Sequence, residues 1–154
     1  MNIKSVLLNI AHELKEDPVF LNIDRGGCCW FAGLIAKQLE RKRIPFTFVL
    51  QDPISGVEDL EDQANNETIG YSARHLYLKI DGLYYDSSGI LNSEQCEYDV
   101  HVEWTAEQIS NFYRNGRGSW NTTFNFYLQG RKREIREIVK NNFKQYDTKD
   151  SIRH

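Results

Sequence analysis

The chain has 154 residues, 40% of them apolar and 27% charged, with a formal net charge of −3. That length suits a single domain, 1–154, with its own hydrophobic core, and the mild negative charge excludes the broad basic field that recruits nucleic acid. No apolar run approaches the ~18 residues of a membrane span, and the opening MNIKSVLLNIAHELKED is too charged and too periodic for a secretory leader.

Ile3, Val6, Leu7, Ile10 and Leu14 recur at helical spacing, which predicts an amphipathic helix over 3–16 closed by Pro18, with His12 off the stripe and solvated. A second helix is expected over 28–43, opening on Cys28-Cys29 directly after Gly26-Gly27. IPFTFVLQD, 44–52, is rich in aromatic and β-branched residues and reads as a strand. Residues 51–72 carry six acidic side chains and no basic one, broken by Pro53, Gly56 and Gly70, and read as an acidic loop or lid. HLYLKIDGLYYDSSG, 75–89, reads as a hairpin about Asp81-Gly82, a pair suited to a type I′ turn. Thr105 and Gln108 stand in capping-box spacing before a short helix over 105–114. A further strand is expected over 121–129. A last helix over 131–146 would bury Ile135, Ile138, Val139, Phe143 and Tyr146, and its basic start RKREIR reads as a solvated face. This order implies an α+β domain.

The three cysteines are an odd number and two are neighbours, a pattern of reduced thiols in a cytoplasmic protein rather than of a disulfide scaffold. With no Cys-x-x-Cys pair and with His12, His75, His101 and His154 scattered, neither a metal nor a cofactor is expected. A cysteine at a helix start is favoured as a thiolate by the unpaired N–H groups and the macrodipole there. Periodicity chooses between the two. Phe31, Ala32, Ile35 and Leu39 follow Cys28 on one apolar face that packs toward the sheet, whereas the face of Cys29 holds Ala32, Gly33, Ala36 and Glu40.

Pairing outward from the Asp81-Gly82 turn sets Ile80 opposite Leu83, Leu78 opposite Tyr85, Tyr77 opposite Asp86 and His75 opposite Ser88. His75 and Asp86 then share a face as diagonal neighbours. An aspartate there would fix the tautomer of the histidine, whose other nitrogen would take the thiol proton of Cys28. The backbone N–H of Cys28, beside Gly27, would donate to an oxyanion, Asn22 would add a side-chain donor, and Trp30 would wall the cleft or pack in the core.

GGCCWFAGLIAKQLERKRIPF and HLYLKIDGLYYDSSG together resemble the transglutaminase-like branch of the papain-like cysteine enzymes. The matching positions are Gly26, Cys28, Ala32 and Ile44-Pro45, then His75 at a strand start and Asp86 on the next strand. Leu76-Tyr77 stands where the family commonly has a small residue and tryptophan, and Arg43 where it usually has glycine. The resemblance implies a papain-like core, with the cysteine-bearing helix packed on an antiparallel sheet and flanked by N- and C-terminal helices. It also implies acyl chemistry on a peptide, protein or small amide substrate, as hydrolysis, deamidation or transfer through a thioester. RGGCC also resembles the arylamine N-acetyltransferases, a match that selects Cys29 instead. A binding or effector module that keeps the fold without turnover is the other class.

Overall fold

The computed structural model describes residues 2–24, 27–51, 75–115 and 130–152. Helix α1 (Ile3–Lys15) buries the whole expected stripe, and the Asn2 side chain caps it by accepting from the Ser5 N–H at 2.9 Å. His12 is exposed, as its position off the stripe requires. After Pro18 the chain runs through a 3₁₀ segment, Pro18–Asp24, that periodicity does not announce.

Helix α2 (Cys28–Arg41) buries Cys28, Phe31, Ala32, Ile35 and Leu39 on one side, and Cys29 and Ala36 on another. It stops two residues before the expected end because Arg43 turns left-handed, with φ of 57°. The Arg43 N–H donates to the Glu40 carbonyl at 3.1 Å and the Ile44 N–H to the Leu39 carbonyl at 2.9 Å, which is a Schellman ending.

Five strands follow: β1 (Phe46–Gln51), β2 (His75–Ile80), β3 (Leu83–Asp86), β4 (Gly89–Ile90) and β5 (Val100–Val102). They form one antiparallel sheet in the order β4-β3-β2-β1-β5, with β2 in the centre. The hairpin register is the expected one near the turn, with Ile80 opposite Leu83 and Leu78 opposite Tyr85. Asp81 and Gly82 both have positive φ, 49° and 77°, the type I′ signature. Farther out the expectation needs correcting. β3 ends at Asp86 and folds back at once, so Asp86 pairs with Gly89 of β4 and His75 does not face Ser88 across a ladder. On its other side His75 pairs with Gln51 of β1.

The remaining helices are α3 (Ser93–Cys96), α4 (Ala106–Asn115) and α5 (Lys132–Ile152). The capping box of α4 is formed in both directions: Gln108 N–H donates to Thr105 Oγ1 at 3.1 Å, and Thr105 N–H to Gln108 Oε1 at 2.8 Å. Ile135, Val139 and Phe143 of α5 are buried, with Ile138 and Tyr146 partly so. β4, α3 and β5 are too short for a periodic pattern and were not anticipated. The expected acidic loop, beyond Gln51, and the expected strand at 121–129 lie outside the described residues.

One face of the sheet, carrying Phe48, Leu50, Leu76, Leu78, Ile80 and Tyr85, packs with α2 into the main core, which α1, α4 and α5 complete. On the other face Val49, Tyr77 and Tyr84 are covered by Cys96 of α3. Among the described residues no helix is long and apolar enough to cross a membrane.

Arg43 is exposed, so its side chain contributes little to packing. A left-handed non-glycine residue costs ~1–2 kcal/mol, and the extra freedom of glycine in the unfolded chain takes back about 0.5–1. Arg43→Gly is therefore expected to stabilise the fold by roughly 0.5–1 kcal/mol, measured as a rise in the denaturation midpoint at unchanged m-value.

Candidate active site

The site is assembled by the first residue of a helix and by residues at the matching ends of two strands. Cys28 opens α2, His75 opens β2 and Asp86 closes β3. His75 Nε2 and Asp86 Oδ2 are 3.0 Å apart. Since a carboxylate only accepts, Nε2 carries the proton and Nδ1 is left for Cys28. Asp86 is itself fixed by Ser88, whose N–H donates to Oδ1 at 2.8 Å and whose hydroxyl donates to the same oxygen.

The electrostatics follow from burial and these partners. Asp86 is 8% exposed. Burial works to raise its pKa, but donation from His75 and Ser88 outweighs burial and holds the carboxyl below its ordinary range. Burial likewise disfavours charge on His75, yet the bonds to Asp86 and then Cys28 prevail and raise its pKa to about 10. Cys28 is 4% exposed and Cys29 2%. The Cys28 thiol is lowered to about 5, first by a hydrogen bond from Cys29, against burial, and then by the hydrogen bond and charge of His75. Cys29 moves the opposite way: burial, and then the neighbouring Cys28, keep it a thiol. The two shifts run in opposite directions and together favour a Cys28 thiolate beside a His75 imidazolium.

The other expected site residues are placed differently. Gly27 is the N-cap of α2 with φ of −106°, so no left-handed turn requires a glycine there. Its N–H donates to the Ile23 carbonyl at 2.7 Å, so it has no donor to offer an oxyanion. The Cys28 N–H, one of the first four of the helix, has no carbonyl partner within α2. Trp30 takes the second of its expected places, packed against the core rather than lining either space beside Cys28 and His75. It faces α5, where the Lys132 ammonium and the Arg136 guanidinium stand 5.6 and 5.5 Å from its ring centre, and it lines a small pocket with Cys29 and Ile109. The side chain of Asn22 lies outside the described residues.

Two spaces adjoin the triad. Between α2 and the sheet a void beside Cys28, lined by Phe31, Leu78 and Tyr85, is too narrow for a water molecule. On the outer face of the sheet a solvent-open cleft of about 390 Å³ has His75 and Asp86 in its wall, together with Gln51, Tyr77, Cys96 and Asp99. No group of three or more potential metal ligands occurs among the described residues.

Two contributions were not read from the sequence. Ser88 two residues after Asp86 is an Asx-turn pattern, and that spacing would have revealed the support of the aspartate. The donor role of Cys29 leaves no such trace, because neighbours in a helix give no periodic signal of meeting. Compared with family models, curated proteins and solved structures, the chain matches none.

Because Cys29 is the foremost cause of the lowered Cys28 pKa, Cys29→Ala is expected to raise the thiolate midpoint by roughly one to two pH units, the worth of one hydrogen bond to a charge. Cys29→Ser, which keeps a donor, should stay nearer about 5. Thiolate ultraviolet absorbance against pH reads both without needing reagent access to the buried sulfur.

Proposed function

We propose that this protein carries out cysteine-dependent acyl chemistry on an amide, ester or thioester, using a papain-like, transglutaminase-like core. The observation that carries this reading is the placement of one histidine between Asp86, at 3.0 Å, and the thiol of Cys28. The order of cysteine at a helix start, histidine at a strand start and aspartate on the next strand supports the fold assignment.

The Cys28 thiolate attacks the carbonyl carbon, and the resulting oxyanion is met by the Cys28 backbone N–H. As the tetrahedral species collapses, the His75 imidazolium gives its Nδ1 proton to the leaving amine or alkoxide, and a thioester remains on Cys28. His75, now neutral, takes a proton from water or from an acceptor amine that attacks the thioester. The products are an acid or a new amide, and the thiolate–imidazolium pair is restored. Asp86 stays ionised throughout and keeps Nδ1 turned to the sulfur. The three free cysteines suit a reducing, cytoplasmic setting.

A second reading has its own support. Cys28 is nearly buried and the void beside it admits no water, as in a binding module that keeps the pair without turnover.

Alkylation by iodoacetamide against pH, followed by peptide mapping, tests the pair. Access sets the absolute rate at a buried sulfur, so the midpoint is the informative quantity. Labelling of Cys28 is expected to rise through about pH 5, with the midpoint moved upward in His75→Ala. A midpoint near the free-thiol value of about 8.5 in both proteins would sink the reading. Turnover of a screened acyl substrate should follow a bell between about pH 5, where the thiolate forms, and about pH 10, where the imidazolium loses its proton. Cys28→Ala should abolish it, and His75→Ala should lower it about 10²–10⁴-fold. An intact pair with no turnover on any acyl class favours the binding module.

A further inference from the structure

The proposed chemistry accounts for Cys28, His75 and Asp86, but not for the buried polar ring beside them on the outer face of the sheet. Tyr77 lies two residues beyond His75 on the same strand and face, and it is buried. Its ring stacks on the imidazole, with centroids 5.7 Å apart and planes inclined by 23°. That distance falls within the reach of about 6 Å over which an aromatic face attracts a cation.

The ring is held from two directions. Its hydroxyl donates to Asp99 Oδ2, and Tyr84 packs edge-on against it at 6.1 Å and 65°. Both supports converge on His101. The Asp99 carbonyl accepts from His101 Nδ1 at 2.9 Å, which places the ring proton on Nδ1, so Nε2 accepts from the Tyr84 hydroxyl at 3.2 Å. Three strands, β2, β3 and β5, and Asp99 just before β5 are thus joined by one chain of contacts that ends on the face of His75. Burial, followed by donation to Asp99, keeps the Tyr77 phenol protonated. The stacked surface is therefore a neutral, electron-rich ring.

We propose that Tyr77, locked by Asp99, is a positioning residue for His75: its ring holds the imidazole in the plane that serves both Asp86 and Cys28, and favours the imidazolium over the neutral form. This rests on the proposed role of His75. It goes beyond it by assigning a function to Tyr77 and Asp99, which share the outer face with His75 and Asp86 but take no part in the acyl steps. Tyr77 touches no reacting atom and acts through the histidine alone.

The test is an NMR titration of the His75 ring protons in wild type, Tyr77→Phe, Tyr77→Leu and Asp99→Asn. In the wild type the His75 ring protons are expected upfield of their ordinary positions, through the ring current of Tyr77. Absence of that displacement overturns the proposal without any variant having to fold. Tyr77→Leu should lower the alkaline midpoint of His75 by about half to one pH unit, the worth of a partly buried cation–aromatic contact. Tyr77→Phe, which keeps the ring, should restore most of that shift. Asp99→Asn should weaken the ring-current displacement while leaving the global fold intact. A purely structural tyrosine predicts a different result: lower melting temperatures for Leu and Phe alike, with the His75 midpoint unchanged, and that outcome would refute the positioning role. If instead Cys28 proves to be an ordinary thiol while His75 keeps its displaced signals and its Tyr77-dependent midpoint, the acyl reading fails and the stacking assignment stands.

Discussion

The register of one hairpin determines whether this molecule has a site at all. The Asp81-Gly82 turn, with both residues at positive φ, twists in the same sense as its flanking strands and leaves one alignment of β2 on β3. In that alignment His75 and Asp86 share the outer face. A slip of one residue would send the aspartate into the core, where Tyr85 now sits, and would leave the histidine unpaired. The central place of β2, with β1 on one side and β3 on the other, fixes the strand further. The start of α2 then needs only to lie over the start of β2 for Cys28 to meet the imidazole. The apolar stripe from Phe31 to Leu39 keeps it there.

The doubled cysteine divides one burden between two sulfurs. Burial by itself would make both thiols weak acids, and two adjacent thiolates in a low-dielectric interior would repel each other. Here the Cys28 thiol is held down to about 5, with Cys29 as the largest cause and His75 as the next partner, both acting against burial. The other is kept protonated by the same arrangement and so remains a donor. Cys29 faces α4 and α5 in the company of Trp30 and Ile109, away from the sheet. Cys29 is nonetheless part of the electrostatic environment of Cys28.

Much of this was legible where a segment's own residues decide its structure. The stripes of α1, α2 and α5, the capping box at Thr105 and Gln108, and the turn at Asp81-Gly82 each carry a local cause, and each appears at its expected place. The face shared by His75 and Asp86 followed from strand alternation alone. What sequence missed is held by distant partners. β4 exists because Gly89 returns to pair with Asp86, and β5 because three residues, Val100 to Val102, add to β1 from far along the chain. Nothing in LNSEQCEYDVHV shows a period, yet it places Asp99 and His101 against Tyr77 and Tyr84. Gly27 gives its N–H to Ile23, and Trp30 takes the core-packing one of its two expected places. Proximity in sequence to Cys28 says nothing about which way a backbone N–H or an indole turns once α5 is packed nearby. The end of α2 shows the reverse: Arg43 takes up a backbone conformation that its residue type disfavours, because two hydrogen bonds close the helix there.

The clasp between the first and last helices bears on how the chain reaches this state. Ile135, Val139 and Phe143 of α5 complete the same core as Val6, Leu7 and Ile10 of α1, and Asn142 donates to Glu13 from 129 positions away. Contacts that span so much of the chain form late, since a large loop must close before any of them stabilises the whole. During synthesis the apolar stripe of α1 is made well before the α5 residues that cover part of it. The part of that stripe that packs on α5 stays uncovered until α5 is made, whereas the parts against the 3₁₀ segment, β3 and β4 can be covered sooner.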